Sequence, residues 1–408
     1  MRCWTVFILI AICWQTSVGQ NAPVSADDSV SSIKVDVKLV PVHVVVRDGH
    51  GQAVGNLHKE DFQIFDRDKL QVVTQFSAEH TPNAGPSSAH PEDAGAAYNA
   101  SPRYTAYLFD DLHLERNDLM QARQSADRRI AMLSPATERA AIFTTSGQKG
   151  IDFTADRAKL HDTLMHIEPR IRPIASDCPN ISYYLADLIA NKEDEDALSV
   201  AAKDALSCAF DGSVKASRAA RQLAKSVARE KAATGKVETE RSLRILKALA
   251  QGMSKAPGQR TILIISPGFF VTEDQGQVDI LDLAVRNEIT VSALDPRGLI
   301  PSTDISGPGG GSFDASRMAY KSLSDMQEQA VLGELADGTG GIFFHNNNDV
   351  DEGFRRVAAT PEYSYVLAFS PRDVKFDGRF HKLKIMVNNG SNLTVQARKG
   401  YYAPKKNP

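Results

Sequence analysis

Apolar and polar positions alternate with a period of two near the start of the chain. Ile33, Val35, Val37 and Leu39 share one phase, and Val40, Val42, Val44 and Val46 take the other across Pro41. A one-residue reversal of this kind marks a bulge or a break in an edge strand. Asp48-Gly49-His50-Gly51 then reads as a turn, and Phe62 and Ile64 with Val72, Thr74 and Phe76 read as further short strands. Strands that are apolar on one face need a second layer, so residues 20–76 are expected to form a sandwich-like β module. Residues 77–102 are rich in Ala, Pro, Gly, Ser and His without a periodic apolar face, and read as a linker.

From Tyr104 the pattern changes. TAYLFDD, AAIFTT (140–145), RTILIIS (260–266) and ITVSALD (289–295) are short, almost continuously apolar runs, as expected of strands buried on both faces. Helical spacing separates them at 117–133, 156–167, 278–287 and 317–337. That order predicts an α/β domain over 103–360, with a parallel sheet covered by helices on both sides. Inside it, residues 184–250 are rich in Ala, Leu, Lys, Arg and Glu with few helix breakers, and predict a helical excursion. Its second half is basic, with ten Lys or Arg and three Glu in 215–247. A solvated helix face accounts for this, and a surface for an anionic polymer, lipid or partner is the alternative. Residues 361–408 return to strand-like alternation in YSYVLAF, HKLKIMV and LTVQARKGYY, which either complete the first β module or form another.

Composition changes the picture mainly at the N-terminus. Arg2 precedes an apolar run at 3–14, and Ser17-Val18-Gly19 places small residues before Gln20. This is the layout of a cleaved secretory signal peptide over 1–19; an uncleaved anchor and a buried first strand are the other readings. Cleavage removes two of the four cysteines and leaves Cys178 and Cys208. In an oxidising compartment these are a disulfide candidate, against two separately buried thiols. A formal charge of -3 gives no argument for nucleic acid as a partner. No later run is long and apolar enough for a membrane helix, so the mature chain is expected not to span a membrane.

The candidate chemistry lies in Asp110-Asp111-Leu112-His113-Leu114-Glu115, directly after an apolar strand. Strand ends of a parallel sheet open a crevice, and oxygen and nitrogen donors there can converge on a ligand. Asp110, Asp111 and His113, with Glu115 nearby, are therefore the metal candidates, set against a structural acidic loop; Mg²⁺ or Ca²⁺ suits such donors. Ser146-Gly147, Ser266-Pro267-Gly268, the GPGGG run at 307–311 and Gly338-Thr339-Gly340-Gly341 read as turns, since none has a nucleophile elbow or a phosphate-loop ending. N-x-S/T acceptors stand at Asn180, Asn389 and Asn392.

Several segments in order resemble the von Willebrand factor type A related proteins of Acidobacteria and similar bacteria: KLVPVHVVVRDGHGQAVGNLHKEDFQIFDRDKLQVVTQF, YTAYLFDDLHL, AAIFTTSGQKGIDFTADRAKL, PGQRTILIISPGFF, ALDPRGL, LGELADGTGGIFF and VQARKGYYAP. The resemblance implies a Rossmann-like type A domain with a helical insertion and flanking β segments. It also implies that the domain binds proteins or surfaces, often with a divalent cation held by an Asp-x-Ser-x-Ser motif. Asp110 matches the Asp, but Leu112 and Leu114 stand at the serines, and Ser266-Pro267-Gly268 replaces a Thr-Asp-Gly-like run. Asn180 or Ser182 lies in the region of the family's middle Thr. Two leucines cannot ligate Mg²⁺, so a standard site is not expected, and a variant site is what remains. The expectation is an exported, noncatalytic binding or scaffold protein, in the periplasm or outside the cell, whose partner is a protein or envelope component. The alternatives are a metal-dependent hydrolase centred on Asp110, Asp111 and His113, and a purely structural assembly protein.

Overall fold

The computed structural model describes residues 39–80, 102–170, 178–272, 275–299, 312–358, 362–371, 379–388 and 392–403. The signal segment, the alternation at Ile33 to Val37, most of the linker, the GPGGG run and Asn389 lie outside the described residues.

The valine alternation becomes strand β1 (Val40–Arg47), with Val42, Val44 and Val46 turned into a sandwich core. β2 (Phe62–Asp66), β3 (Lys69–Gln71) and β4 (Val73–His80) follow. Residues 77–80 thus belong to a strand and not to the expected linker, because Tyr363 to Val366 supply a pairing row for them.

The α/β unit runs β5 (Arg103–Phe109), α1 (Arg116–Ala131), β6 (Glu138–Thr144), β7 (Ile151–Thr154) and α2 (Arg157–Met165). The excursion is three helices, α3 (Tyr183–Ala190), α4 (Glu195–Phe210) and α5 (Ser217–Met253). Then come β8 (Gln259–Ile265), α6 (Gln275–Arg286), β9 (Ile289–Leu294), α7 (Ser312–Thr339), β10 (Phe343–Phe344) and α8 (Val350–Ala358). The chain closes with β11 (Tyr363–Phe369), β12 (Phe380–Val387), β13 (Thr394–Ala397) and β14 (Gly400–Tyr402).

β11 pairs antiparallel with both β1 and β4, giving the sheet β13-β1-β11-β4, while β14-β12-β2-β3 forms the facing sheet. Residues 39–80 and strands β11 to β14 therefore build one sandwich, and the α/β unit is inserted between β4 and β11. An unpaired edge exposes a row of backbone groups, and this interleaving places β11 between β1 and β4. Phe62, Tyr365 and Phe369 fill the sandwich core, where each fully buried large apolar side chain is worth roughly 1.5–3 kcal/mol.

The central sheet has the order β10-β9-β8-β5-β6-β7. Its strands are parallel except β7, which runs antiparallel to β6 at the edge. Counting its strands from β5, the order is 3-2-1-4-5-6, that of a doubly wound sheet whose direction of winding reverses between β5 and β8. Helices α1, α2 and α8 bury one face and α5, α6 and α7 the other.

α5 belongs to two cores. Ala220, Ala224, Ala228 and Ala232 recur every fourth residue and let α3 and α4 pack closely, and the Tyr183 ring lies where a Cβ on Gly235 would stand. Further on, Leu246, Leu249, Ala250 and Met253 pack against the central sheet. The excursion is consequently not a removable appendage, since cutting out residues 190–250 would take core side chains with it. Asp194 caps α4 by accepting from the Asp196 and Ala197 amides, and the Cys178–Cys208 disulfide ties the segment before α3 to α4. Closing a loop with a sequence separation of 30 is worth about 3.5 kcal/mol in the chain-entropy account.

Candidate functional site

Four neighbouring strands of the central sheet end in buried polar residues: Asp110 after β5, Thr145 and Ser146 after β6, Ser266 after β8 and Asp295 after β9. Burying these groups is tolerable only if each finds partners, because an unpaired buried charge costs several kcal/mol. Asp110, Thr145, Ser146 and Ser266 find them in one another and in their immediate neighbours, and Asp295 finds them in Arg297 and Gln329.

Asp110 is fully buried, and its carboxylate is enclosed. Thr145 donates its hydroxyl to Oδ1 at 2.8 Å, and Ser266 donates to Oδ2 at 2.6 Å. His113, one turn further along the chain, places Nδ1 2.8 Å from Oδ1 and 2.9 Å from Oδ2. Burial alone would lower the His113 pKa. Attraction to Asp110, the hydrogen bond to it, and the charges of Glu238 and Glu328 outweigh that and raise it to about 9, so the ring is an imidazolium at neutral pH. Burial likewise pushes the Asp110 carboxyl up, but His113, Ser266 and Thr145 together hold it below its ordinary value.

The Ser266-Pro267-Gly268 turn has a defined purpose here. Ser266 Oγ accepts from the Gly268 amide at 3.0 Å while donating to Asp110. Gly268 has φ +102°, and a Cβ there would stand 2.3 Å from the Glu328 carbonyl oxygen of α7, so only glycine fits this approach.

Asp111 opens the turn that follows β5 and engages a different set of partners from Asp110. It accepts from the Ser146 amide at 2.8 Å and from Thr145 Oγ1 at 3.1 Å, with further bonds from Ser146 Oγ and Gln148 Nε2. Glu115 is exposed and stands at the N-cap position of α1. The expected shared cation site at Asp110, Asp111 and His113 is thus replaced by two separate networks joined through Thr145. Among the described residues no three His, Cys, Asp or Glu side chains converge as a metal-ligand group. Leu112 and Leu114 supply no oxygen, and Leu114 is buried in the core beneath α1. The donor set does not fit Mg²⁺ or Ca²⁺, which take six or more oxygens.

Sequence reading found Asp110 and His113 but passed over their enclosing hydroxyls. In sequence Thr145 reads as the end of a strand and Ser146 and Ser266 as parts of turns; the position of all three at the ends of apolar strands is the available signal. It also passed over Asp295, which holds Arg297 through three contacts of 2.8–3.1 Å and accepts from Gln329 at 2.8 Å. Arg297 further reaches the Pro267 carbonyl and Asp325, fastening the turn after β8 to α7.

Beside Arg297, on the carboxyl side of β9, lies a cavity of about 470 Å³ that Asp110 and His113 do not themselves line. Asn180, Ser182 and Asp204 line it from the excursion, and Arg317, Tyr320 and Glu328 from α7. Ser182 Oγ is engaged as the N-cap of α3, and the Asn180 backbone amide donates to Asp204. Burial raises the Glu328 carboxyl above its usual range. On the outside of α7, Met318, Leu323 and Met326 are exposed.

The structure is similar to that of an aerotolerance-related membrane protein from Bacteroides fragilis carrying multiple mutations to serine, at 12% identity and a TM-score of 0.31 over 64% of this chain and 100% of that one. It is similar to the conserved hypothetical protein BatB from Bacteroides thetaiotaomicron at 12% identity and a TM-score of 0.29, with the same coverage. Likenesses this distant carry no argument about fold or function. No protein-family model and no curated protein matches the chain.

A second cavity, of about 450 Å³, lies at the opposite end of the sheet between the sandwich and the amino ends of β8 and β9. Two of its arginines are engaged by carbonyls: Arg260 reaches those of Ser254 and Ala256 beyond α5, and Arg398 those of Val285 in α6 and Pro41 in β1. Cations suit helix C-termini, so these side chains fasten the layers together. Among the described residues no helix is long and apolar enough to cross a membrane.

Proposed function

We propose that this chain is an exported, noncatalytic binding module of von Willebrand factor type A design, which takes a protein or envelope partner at the carboxyl edge of its central sheet. The doubly wound strand order with one antiparallel edge strand supports that design. The observation that carries the binding reading is the cavity of about 470 Å³ at that edge, roofed by the helical excursion. Open α/β sheets bind ligands outside the carboxyl ends of their strands, where the winding reverses. Exposed Met318, Leu323 and Met326 add apolar surface beside it, the kind of surface a protein partner covers. The noncatalytic part rests on the locked carboxylates. Asp110 and Asp111 have their oxygens occupied by hydroxyls, amides and His113, so neither is free to serve as a base toward a bound substrate.

The test places a photo-crosslinking residue at Met318, beside the cavity, or at Leu70 on the sandwich, and exposes each protein to native envelope material. One defined partner crosslinked from position 318 and absent from position 70 is the expected result. Equal yields from the two positions, or none from 318, would sink the proposal.

A further inference from the structure

Asp110 is a buried carboxylate beside the reversal point of a doubly wound sheet, and a histidine side chain faces both of its oxygens. Three features converge on this. The first is the placement of His113 Nδ1 between the two Asp110 oxygens, at 2.8 and 2.9 Å, where a bound ion would bridge them. The second is enclosure: the Thr145 and Ser266 hydroxyls cover the remaining approaches to a carboxylate that has no exposed surface. The third is support for the ring, which stacks on Phe269 with centroids 6.2 Å apart and keeps a side-chain exposure of 22%. No hydrogen bond to its Nε2 is formed among the described residues, so the outer N–H of the ring is unpaired.

We propose that His113 is the resident cation of this crevice: it neutralises Asp110, closes that carboxylate to divalent ions, and presents Nε2–H as the donor offered to an acceptor oxygen of the partner. This rests on the binding reading only in its last clause. An N–H donor takes an acceptor oxygen, and the amide carbonyl of a protein partner supplies one. Recognition at this edge then needs no metal, in contrast to the cation-bridged contact implied by the family resemblance.

Two measurements on the whole chain test this without any partner, so a failed crosslinking experiment leaves them intact. The first is calorimetric titration with Mn²⁺, paired with thermal unfolding in Mn²⁺ or in chelator. The unaltered protein is expected to give no binding heat, and a difference in Tm within about 1 °C. Mn²⁺ binding that Asp110→Asn abolishes would overturn the proposal. The second is a double-mutant cycle of His113→Gln and Asp110→Asn read by Tm. A combined loss clearly smaller than the sum of the single losses is expected, since either change alone strands its partner. Additive losses would overturn the proposal, and if a variant fails to fold, the Mn²⁺ titration of the unaltered protein decides.

Discussion

Among the described residues two buried aspartates each hold a histidine, Asp110 with His113 and Asp66 with His381, and the pairs differ in almost every respect except chemistry. Asp110 and His113 are three residues apart on one loop, and the histidine keeps an edge toward the crevice. Asp66 and His381 are separated by 315 residues, and His381 is only 1% exposed. In the sandwich pair, His381 Nδ1 lies 3.3 Å from Asp66 Oδ2, and Tyr401 donates its hydroxyl to the same oxygen at 2.9 Å. Those three residues sit on β12, β2 and β14, and His381 and Tyr401 are direct cross-strand partners. One pair is local, hydroxyl-capped and open on one side. The other is assembled from β2, β12 and β14 and sealed. A sealed pair can hold strands in register but can greet no ligand, so the open pair is the one to associate with recognition.

Removing the acid should separate them most sharply. Asp110→Ala strands the His113 imidazolium and leaves the Thr145 and Ser266 hydroxyls without their acceptor, and is expected to cost about 3–5 kcal/mol in urea unfolding. A loss under about 1 kcal/mol would mean that the network relaxes freely.

The next effect is a pH profile. His113 has a folded pKa of about 9 against an ordinary value of 6.5, so its contribution is complete below 6.5 and is lost as pH rises toward 9. Asp110 is held below 3.8, so its contribution is present above 3.8 and is lost only as pH falls further. Between those limits the pair should be fully effective. The alkaline decline should be on the order of 3 kcal/mol and should disappear in His113→Gln. A decline of the same size in that variant would assign it to other groups.

These differences also govern what could be read from sequence. The parallel strands were legible because burial on both faces leaves continuous apolar runs such as RTILIIS, which became β8. β7 and β10, four and two residues long, are too short to leave such a signature. The Ala- and Lys-rich block announced helix but not its breaks. Those are set by single residues, with Glu193 and Asp211 at positive φ and Asp194 as a cap. Asp110 and His113 were found together because helical-turn spacing joins them, whereas Ser266 lies 156 residues from Asp110 and joins it only through the pairing of β5 with β8. The sandwich pair left no local trace at all.

That nonlocal pair offers the smallest of the expected effects and the cleanest contrast. Tyr401→Phe keeps the ring, and with it the edge contact to Phe369 at 5.8 Å, but removes the hydroxyl that binds Asp66. Burial and the nearby Asp66 carboxylate raise the Tyr401 phenol above its ordinary value, so the group is a neutral donor over any working pH range. Losing one hydrogen bond to a charged acceptor should cost about 2 kcal/mol. Tyr401 lies in the sandwich and does not line the cavity at the carboxyl edge, so crosslinking from position 318 should be unchanged. If Tyr401→Phe instead abolished that crosslinking while the protein remained folded, the sealed pair would be coupled to recognition, and the division drawn between the two pairs would fail.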